Sequence, residues 1–181
     1  VYDCTLEELR SLSAGSWLHS RFASARVPTL WEVFAFAAST RLRLILEMKN
    51  FFIPQPELEE KLVELIEHFG LQKRFVLSSF NYNSLAHIKR IAPHLQTGLL
   101  YLGHLHHPWE VALEYAANQI HVPLEEISAQ LVQQAHNHGL VVYCWTVNAS
   151  KTMRRLAEMR VDGIMTNFPL RARKLFAHKR K

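Results

Sequence analysis

A chain of 181 residues that is 49% hydrophobic, 20% charged and 10% aromatic has the composition of one folded domain with a sizeable core. Disordered, collagenous and disulfide-scaffold classes are excluded. The formal charge of +5 does not mark a nucleic-acid binder, because six Lys and Arg fall within Arg171 to Lys181, and without them the chain is near neutral.

Cys4 and Cys144 stand far apart without CxxC spacing, which reads as two reduced thiols and makes the cytoplasm the default compartment. No run of about 18 apolar residues is present. The first residue is Val1 and no signal-like segment follows, so the sequence is expected to begin inside a longer protein.

In chain order, Thr5 followed by Glu7 and Glu8 predicts a capped helix start, and Thr29 followed by Glu32 repeats the device. The apolar run from Trp31 to Ala38 reads as a buried helix. Leu42 to Met48 reads as a strand, Asn50 to Gln55 as a loop, and Pro56 to Phe69 as an amphipathic helix closed by Gly70. Further strands are predicted at Phe75–Ser79, Thr97–Tyr101, Ala117–His121, Val141–Val147 and Gly163–Thr166. Helices fall between them at Ser84–Ala92, Trp109–Tyr115, Glu125–His138 and Ser150–Met159.

Apolar strands with little alternation, separated by helices, imply a parallel sheet. The strand centres recur about every 22 residues, and no GxGxxG or Walker loop is present. The fold class is therefore α/β, a TIM-type (β/α) barrel. Six strands are countable where a closed barrel has eight, and about 250 residues are typical of such a domain, so two βα units are missing from the count. The domain is placed at residues 1–170. Residues 171–181 form a basic helix end or tail whose functional alternative is weak attraction to anionic lipid.

Along Leu44-Ile45-Leu46-Glu47-Met48-Lys49 the strand period puts Glu47 and Lys49 on one face and Leu44, Leu46 and Met48 on the other. The apolar set would pack under helices, leaving a carboxylate and an ammonium pointing into the barrel at the strand's C-terminal end, where such folds place their sites. A structural ion pair is the competing reading. Ser78-Ser79-Phe80-Asn81 and Cys144-Trp145-Thr146-Val147-Asn148 end strands with residues suited either to a pocket or to a turn and core. His104, His106 and His107 match no common zinc spacing and read as a solvated loop. His136 and His138 suit a helix C-terminus, which leaves His121, at a strand end, as the histidine with a plausible site position.

Nine fragments in order then resemble one family, the glycerophosphodiester phosphodiesterases. They are Asp3-Cys4-Thr5-Leu6-Glu7-Glu8-Leu9, Ala14-Gly15-Ser16-Trp17, Val27-Pro28-Thr29-Leu30, Leu46-Glu47-Met48-Lys49, Leu77-Ser78-Ser79-Phe80-Asn81, Gly98-Leu99-Leu100, Ala135-His136 with Gly139-Leu140, Trp145-Thr146-Val147-Asn148, and Asp162-Gly163-Ile164-Met165-Thr166-Asn167. The resemblance implies a TIM-type barrel that hydrolyses small-molecule glycerophosphodiesters to an alcohol and glycerol 3-phosphate with Mg²⁺ or Ca²⁺. By position it makes Glu47 a metal ligand, Lys49 the contact to substrate phosphate, and Phe80 and Trp145 aromatics bordering the glycerol end of the pocket.

The family's His-Arg-Gly, Glu-x-Asp and His-Asp motifs, which hold its catalytic histidines, are not found in the chain, and Ser13 and Asn167 stand where the family usually has Asp. The expectation is that no catalytic residue sits in family position and that this polypeptide alone has no significant phosphodiesterase activity. The alternative is a degenerate barrel that binds phosphate esters or lipid headgroups through Lys49 and the basic tail. The leaving alcohol and the oligomeric state are not legible.

Overall fold

A computed structural model describes residues 3–53 and 55–176. The first capping box forms as its spacing requires: the Thr5 hydroxyl accepts from Glu8 N while the Glu8 carboxylate accepts from Thr5 N, opening helix α1 (Leu6–Ser11). Thr29 and Glu32 build the same box at α2 (Leu30–Ala38). Only one face of α2 is buried, through Phe34 and Ala37, while Trp31 and Phe36 are exposed. The expectation of a buried helix holds for that one face alone: Trp31 meets His68 and Phe69 at 4.9 Å yet stays exposed, and Phe36 is bare. Phe34 instead stacks on Phe75 at 4.4 Å. Arg74 fastens the connection onward by donating to the carbonyls of Ala37 and Leu42.

Strand–helix units follow: β1 (Leu44–Glu47), α3 (Leu58–His68), β2 (Phe75–Ser79), α4 (Tyr82–Ile91), β3 (Gln96–Leu100), α5 (Pro108–Glu114), β4 (Gln119–Pro123), α6 (Ala129–Asn137), β5 (Val141–Trp145), α7 (Ser150–Glu158), β6 (Gly163–Ile164) and α8 (Pro169–Phe176). All neighbouring strands pair in parallel, and the sheet order is β1-β2-β3-β4-β5-β6 without reversal. Right-handed crossovers that always step in one direction put every helix on the same face. A doubly wound sheet would reverse its order and cover both. The architecture is thus that of a (β/α) barrel with six strands, β1 and β6 being its edges among the described residues.

The boundaries differ from the sequence reading where capping chemistry intervenes. Asn81 accepts from Ser84 N and starts α4 at Tyr82, and Ser128 accepts from Leu131 N and starts α6 at Ala129 rather than Glu125. β4 begins two residues late, at Gln119, so His121 lies in mid-strand rather than at its end. Arg171 to Phe176 continue α8, with Ala172, Leu175 and Phe176 packed against the core; residues 177–181 of the basic tail lie outside the described residues.

The core is the layer between sheet and helices. Leu77, Leu99, Ile120, Val122, Val142 and Cys144 of the strands meet Ile66, Leu85, Ile88, Ala135, Met153 and Leu156 of the helices. Each fully buried aliphatic side chain contributes about 1.5–3 kcal/mol relative to exposure, an upper figure because unfolded chains already bury part of that surface. The other face of the sheet is the barrel interior. Register places Glu47 beside Ser78, Ser78 beside Gly98, Leu100 beside His121, and His121 beside Tyr143.

Candidate active site

β1 alternates in burial along Leu44–Glu47, half-buried then exposed. Leu44 and Leu46 pack against the core and Met48 is buried, as the period-two reading requires. Glu47 and Lys49 emerge on the interior face at the C-terminal end. Lys49 Nζ donates to Glu47 Oε1 at 2.7 Å, with side-chain exposures of 78% and 33%. So exposed a pair contributes at most about 1 kcal/mol. It does not hold the fold together, and Lys49 can turn to a ligand at little cost.

The segment after β1 is anchored by a residue the sequence reading passed over. Asn50 is buried; its Nδ2 donates to Glu59 Oε1 at 3.1 Å and Ser84 Oγ at 2.7 Å, and its Oδ1 accepts from Ser79 Oγ at 3.3 Å. Asn81 Nδ2 donates to the Asn50 carbonyl at 3.3 Å. These bonds tie the loop after β1 to the end of β2 and to α3 and α4. A single loop Asn carries no sequence signal distinguishing this from an ordinary turn. Ser79 and Asn81 are thus positioning groups, whereas Ser78 Oγ is buried without a partner.

Glu47, Lys49 and Phe80 line one cleft of about 700 Å³ at the C-terminal ends of β1–β3. Trp145 is not part of its wall. It meets Phe80 edge-on, with centroids 6.1 Å apart, and its indole N–H donates to the His121 carbonyl at 2.9 Å. The four residues singled out from the sequence therefore converge, three on the cleft and one behind Phe80.

His121 does not. It is fully buried on the interior face of β4, its ring over Gly98 and tilted against Tyr143. Its Nε2 pairs with Gln119 Oε1 at 3.2 Å, and Nδ1 has no partner. Burial pushes its pKa down to about 4, so the ring is neutral at physiological pH. The histidine that reaches the cleft is His104, from the loop expected to be merely solvated. It lines the wall and Nδ1 pairs with Glu126 Oε2 at 2.9 Å. His106, His107 and Trp109 continue from it as a ring stack. Among the described residues no cluster of three or more His, Cys, Asp or Glu is arranged to hold a metal ion.

Several quoted fragments turn out to brace the scaffold. His136 Nε2 and Val142 N both reach Asp162 Oδ2, at 2.9 and 2.8 Å, clamping α6 and β5 to the start of β6. Asn148 Oδ1 accepts from Thr166 Oγ1 and Asn167 N, joining the loops after β5 and β6. Ser13 accepts from Ser16 N in a local turn. No helix of the described residues is long and apolar enough to cross a membrane.

Comparison with known proteins agrees with this geometry. A family model for the glycerophosphoryl diester phosphodiesterases matches residues 1–171. A glycerophosphodiester phosphodiesterase of Caldanaerobacter subterraneus subsp. tengcongensis is 38% identical over 169 residues, covering 93% of this chain and 70% of that protein. One from Bacillus altitudinis is 31% identical over 178 residues, covering 97% and 73%. The solved structure of an Oleispira antarctica phosphodiesterase in complex with the product sn-glycerol-3-phosphate superposes with a TM-score of 0.87 at 24% identity, covering 98% of this chain and 72% of that one. The last match bears on the fold, and it supports the six strands as part of a TIM-type barrel.

Proposed function

Since the chain belongs to the glycerophosphoryl diester phosphodiesterase family, whose members are phosphoric diester hydrolases, we propose that it handles glycerophosphodiesters, with glycerol 3-phosphate and an alcohol as products. The observation that carries this reading is the exposed Lys49 ammonium beside Glu47 on the wall of the cleft at the strand ends. An ammonium there offers a compact charge for a phosphate oxygen. Phe80, backed by Trp145, offers an apolar wall to the glycerol carbons.

Glu47 would be one ligand of the Mg²⁺ or Ca²⁺ that the reading calls for, hard cations that take six and six to eight oxygen ligands respectively. The described residues do not fit the ion by themselves: one carboxylate, already bonded to Lys49, stands at the site and no three-ligand cluster exists. For proton transfer the cleft offers the single imidazole of His104, oriented by Glu126. The described residues thus supply substrate binding more fully than they supply cleavage. That observation favours a second reading in which the 181-residue chain binds phosphate esters without cleaving them. Cys4 and Cys144 are both unpaired, which supports a reducing, cytoplasmic compartment.

The deciding experiment assays glycerol 3-phosphate release with Mg²⁺ and with Ca²⁺, for the 181-residue chain and for the longest reading frame that contains it. We expect metal-dependent release from the longer protein and none from the 181-residue chain above its Glu47→Gln control. Release by neither, with glycerol 3-phosphate binding weakened in Lys49→Met, would leave the binding-only reading. Release by the short chain that is lost in His104→Ala would assign proton transfer to that imidazole.

A further inference from the structure

Charge is divided unevenly along the chain. Residues 1–148 hold eleven Lys and Arg against fourteen Asp and Glu, a net −3, whereas residues 149–176 hold seven against Glu158 and Asp162, a net +5. The fold puts these two populations at opposite ends of the sheet. Glu57, Glu60, Glu64 and Glu67 are exposed along α3 and its N-cap, next to β1, while the basic set lies on α7 and α8, which follow β5 and β6. On α7, Lys151, Arg154 and Arg155 share one helix face, at i, i+3 and i+4, and line a depression of about 490 Å³. On α8, Arg171 and Lys174 line a second depression, of about 470 Å³, whose wall also includes Ser150 at the start of α7, so the two surfaces join. All five cations are exposed. Arg10, Lys49 and Lys61 are paired with carboxylates, but among the described residues no ion pair engages any of these five. Like charges gathered without counterions repel one another, and an anionic partner relieves that repulsion.

The kind of anion follows from what stands among the cations. Leu170, 71% exposed, shares a wall with Arg171 and Lys174. A lipid headgroup layer accepts both groups, cations at the phosphates and an apolar side chain at the acyl boundary. A nucleic-acid backbone would engage the cations but leave Leu170 wet. No aromatic ring lines either depression to stack on a base, and the neighbouring Phe168 ring already has the Arg171 guanidinium over it, 4.2 Å from its centroid. We propose that α7 and α8 together form a docking face for anionic lipid surfaces, held by Lys151, Arg154, Arg155, Arg171 and Lys174. The acidic α3 end turns away from such a surface, which sets the orientation of the docked molecule. The face is made by the packing of α7 against α8 and is broader than the basic C-terminal run alone. Both helices start at the C-terminal ends of their strands, the end of the sheet that carries the Glu47–Lys49 cleft. Docking is independent of what that cleft binds.

Co-sedimentation with vesicles tests this, comparing phosphatidylcholine alone with phosphatidylcholine containing about one-third phosphatidylserine as the anionic lipid. The 181-residue chain is expected to bind the mixed vesicles only, and less as added salt screens the attraction. A cation near the surface contributes up to roughly fivefold in affinity, so the double variant Arg154→Gln/Arg155→Gln should bind roughly 25-fold more weakly. Deleting residues 177–181 should leave binding that the same two substitutions still lower. Lys61→Gln, on α3, should not weaken binding at all. Equal binding to both vesicle types, or to neither, would overturn the proposal. So would undiminished binding by the double variant, or loss of all binding on deleting residues 177–181, which would make the C-terminal run the whole anchor. Displacement of the vesicles by duplex DNA at equal phosphate concentration would overturn it as well, by making the face a site for nucleic acid.

Discussion

The interior face of the sheet is filled at the inner strand β4 and open at the edge strand β1. In β4 all five residues, Gln119 to Pro123, are buried, and the neighbouring Tyr143 and Trp145 rings close over the same space. In β1 the interior residues Ile45 and Glu47 are exposed, and Lys49 beyond them is more so. A filled interior can only support; an open one can receive a ligand. The difference explains why the buried histidine of β4 is chemically silent while a solvent-facing pair on β1 is the candidate site.

That contrast predicts where substitutions hurt. Ile120 is fully buried on the helix side of β4, and Ile120→Ala should lower unfolding free energy by about 2–5 kcal/mol in urea titration. A loss well below that range would show that the β4 side relaxes more than its burial indicates.

Next in size is a pH effect. The pKa of His121 is pushed by burial from its ordinary 6.5 to about 4 in the folded chain. Between those values the unfolded chain binds a proton that the folded chain refuses, so stability falls as pH drops through this window. It is unaffected above it and levels off below it. The full decline is roughly 3 kcal/mol. Chemical denaturation at neutral and mildly acidic pH should show it, and His121→Gln should flatten it. A wild-type profile without the decline would mean water reaches the ring.

Gly98→Ala probes the same packing from below. A Cβ there would come within 2.7 Å of the His121 ring, which Tyr143 backs from the other side. We expect a cost of about 1–3 kcal/mol, read as a lowered midpoint of thermal unfolding. At the other extreme, Glu47→Gln should leave stability within about 0.5 kcal/mol, because the ion pair it breaks is largely solvated. If it unfolds the protein instead, Glu47 is a structural residue and the contrast between the two sides collapses.

Much of the scaffold is local physics and therefore readable from order alone. Thr5 and Glu8, like Thr29 and Glu32, are three residues apart, so each capping box is written in four consecutive positions. Phe75–Ser79 is an apolar run long enough for a strand, and its limits come out as read. The placement of Glu47 and Lys49 opposite Leu46 and Met48 follows from the period of a strand, and the family assignment from nine short fragments in sequence. Contacts between distant segments had no such signature. Asn50 meets Ser84 across 34 positions, His104 meets Glu126 across 22, and Phe80 meets Trp145 through two separate strand ends. His121 and His104 exchanged their expected standing for the same reason. Periodicity assigns a residue to a face of its own strand or helix, but whether that face is filled or open depends on neighbours that only the folded sheet brings alongside.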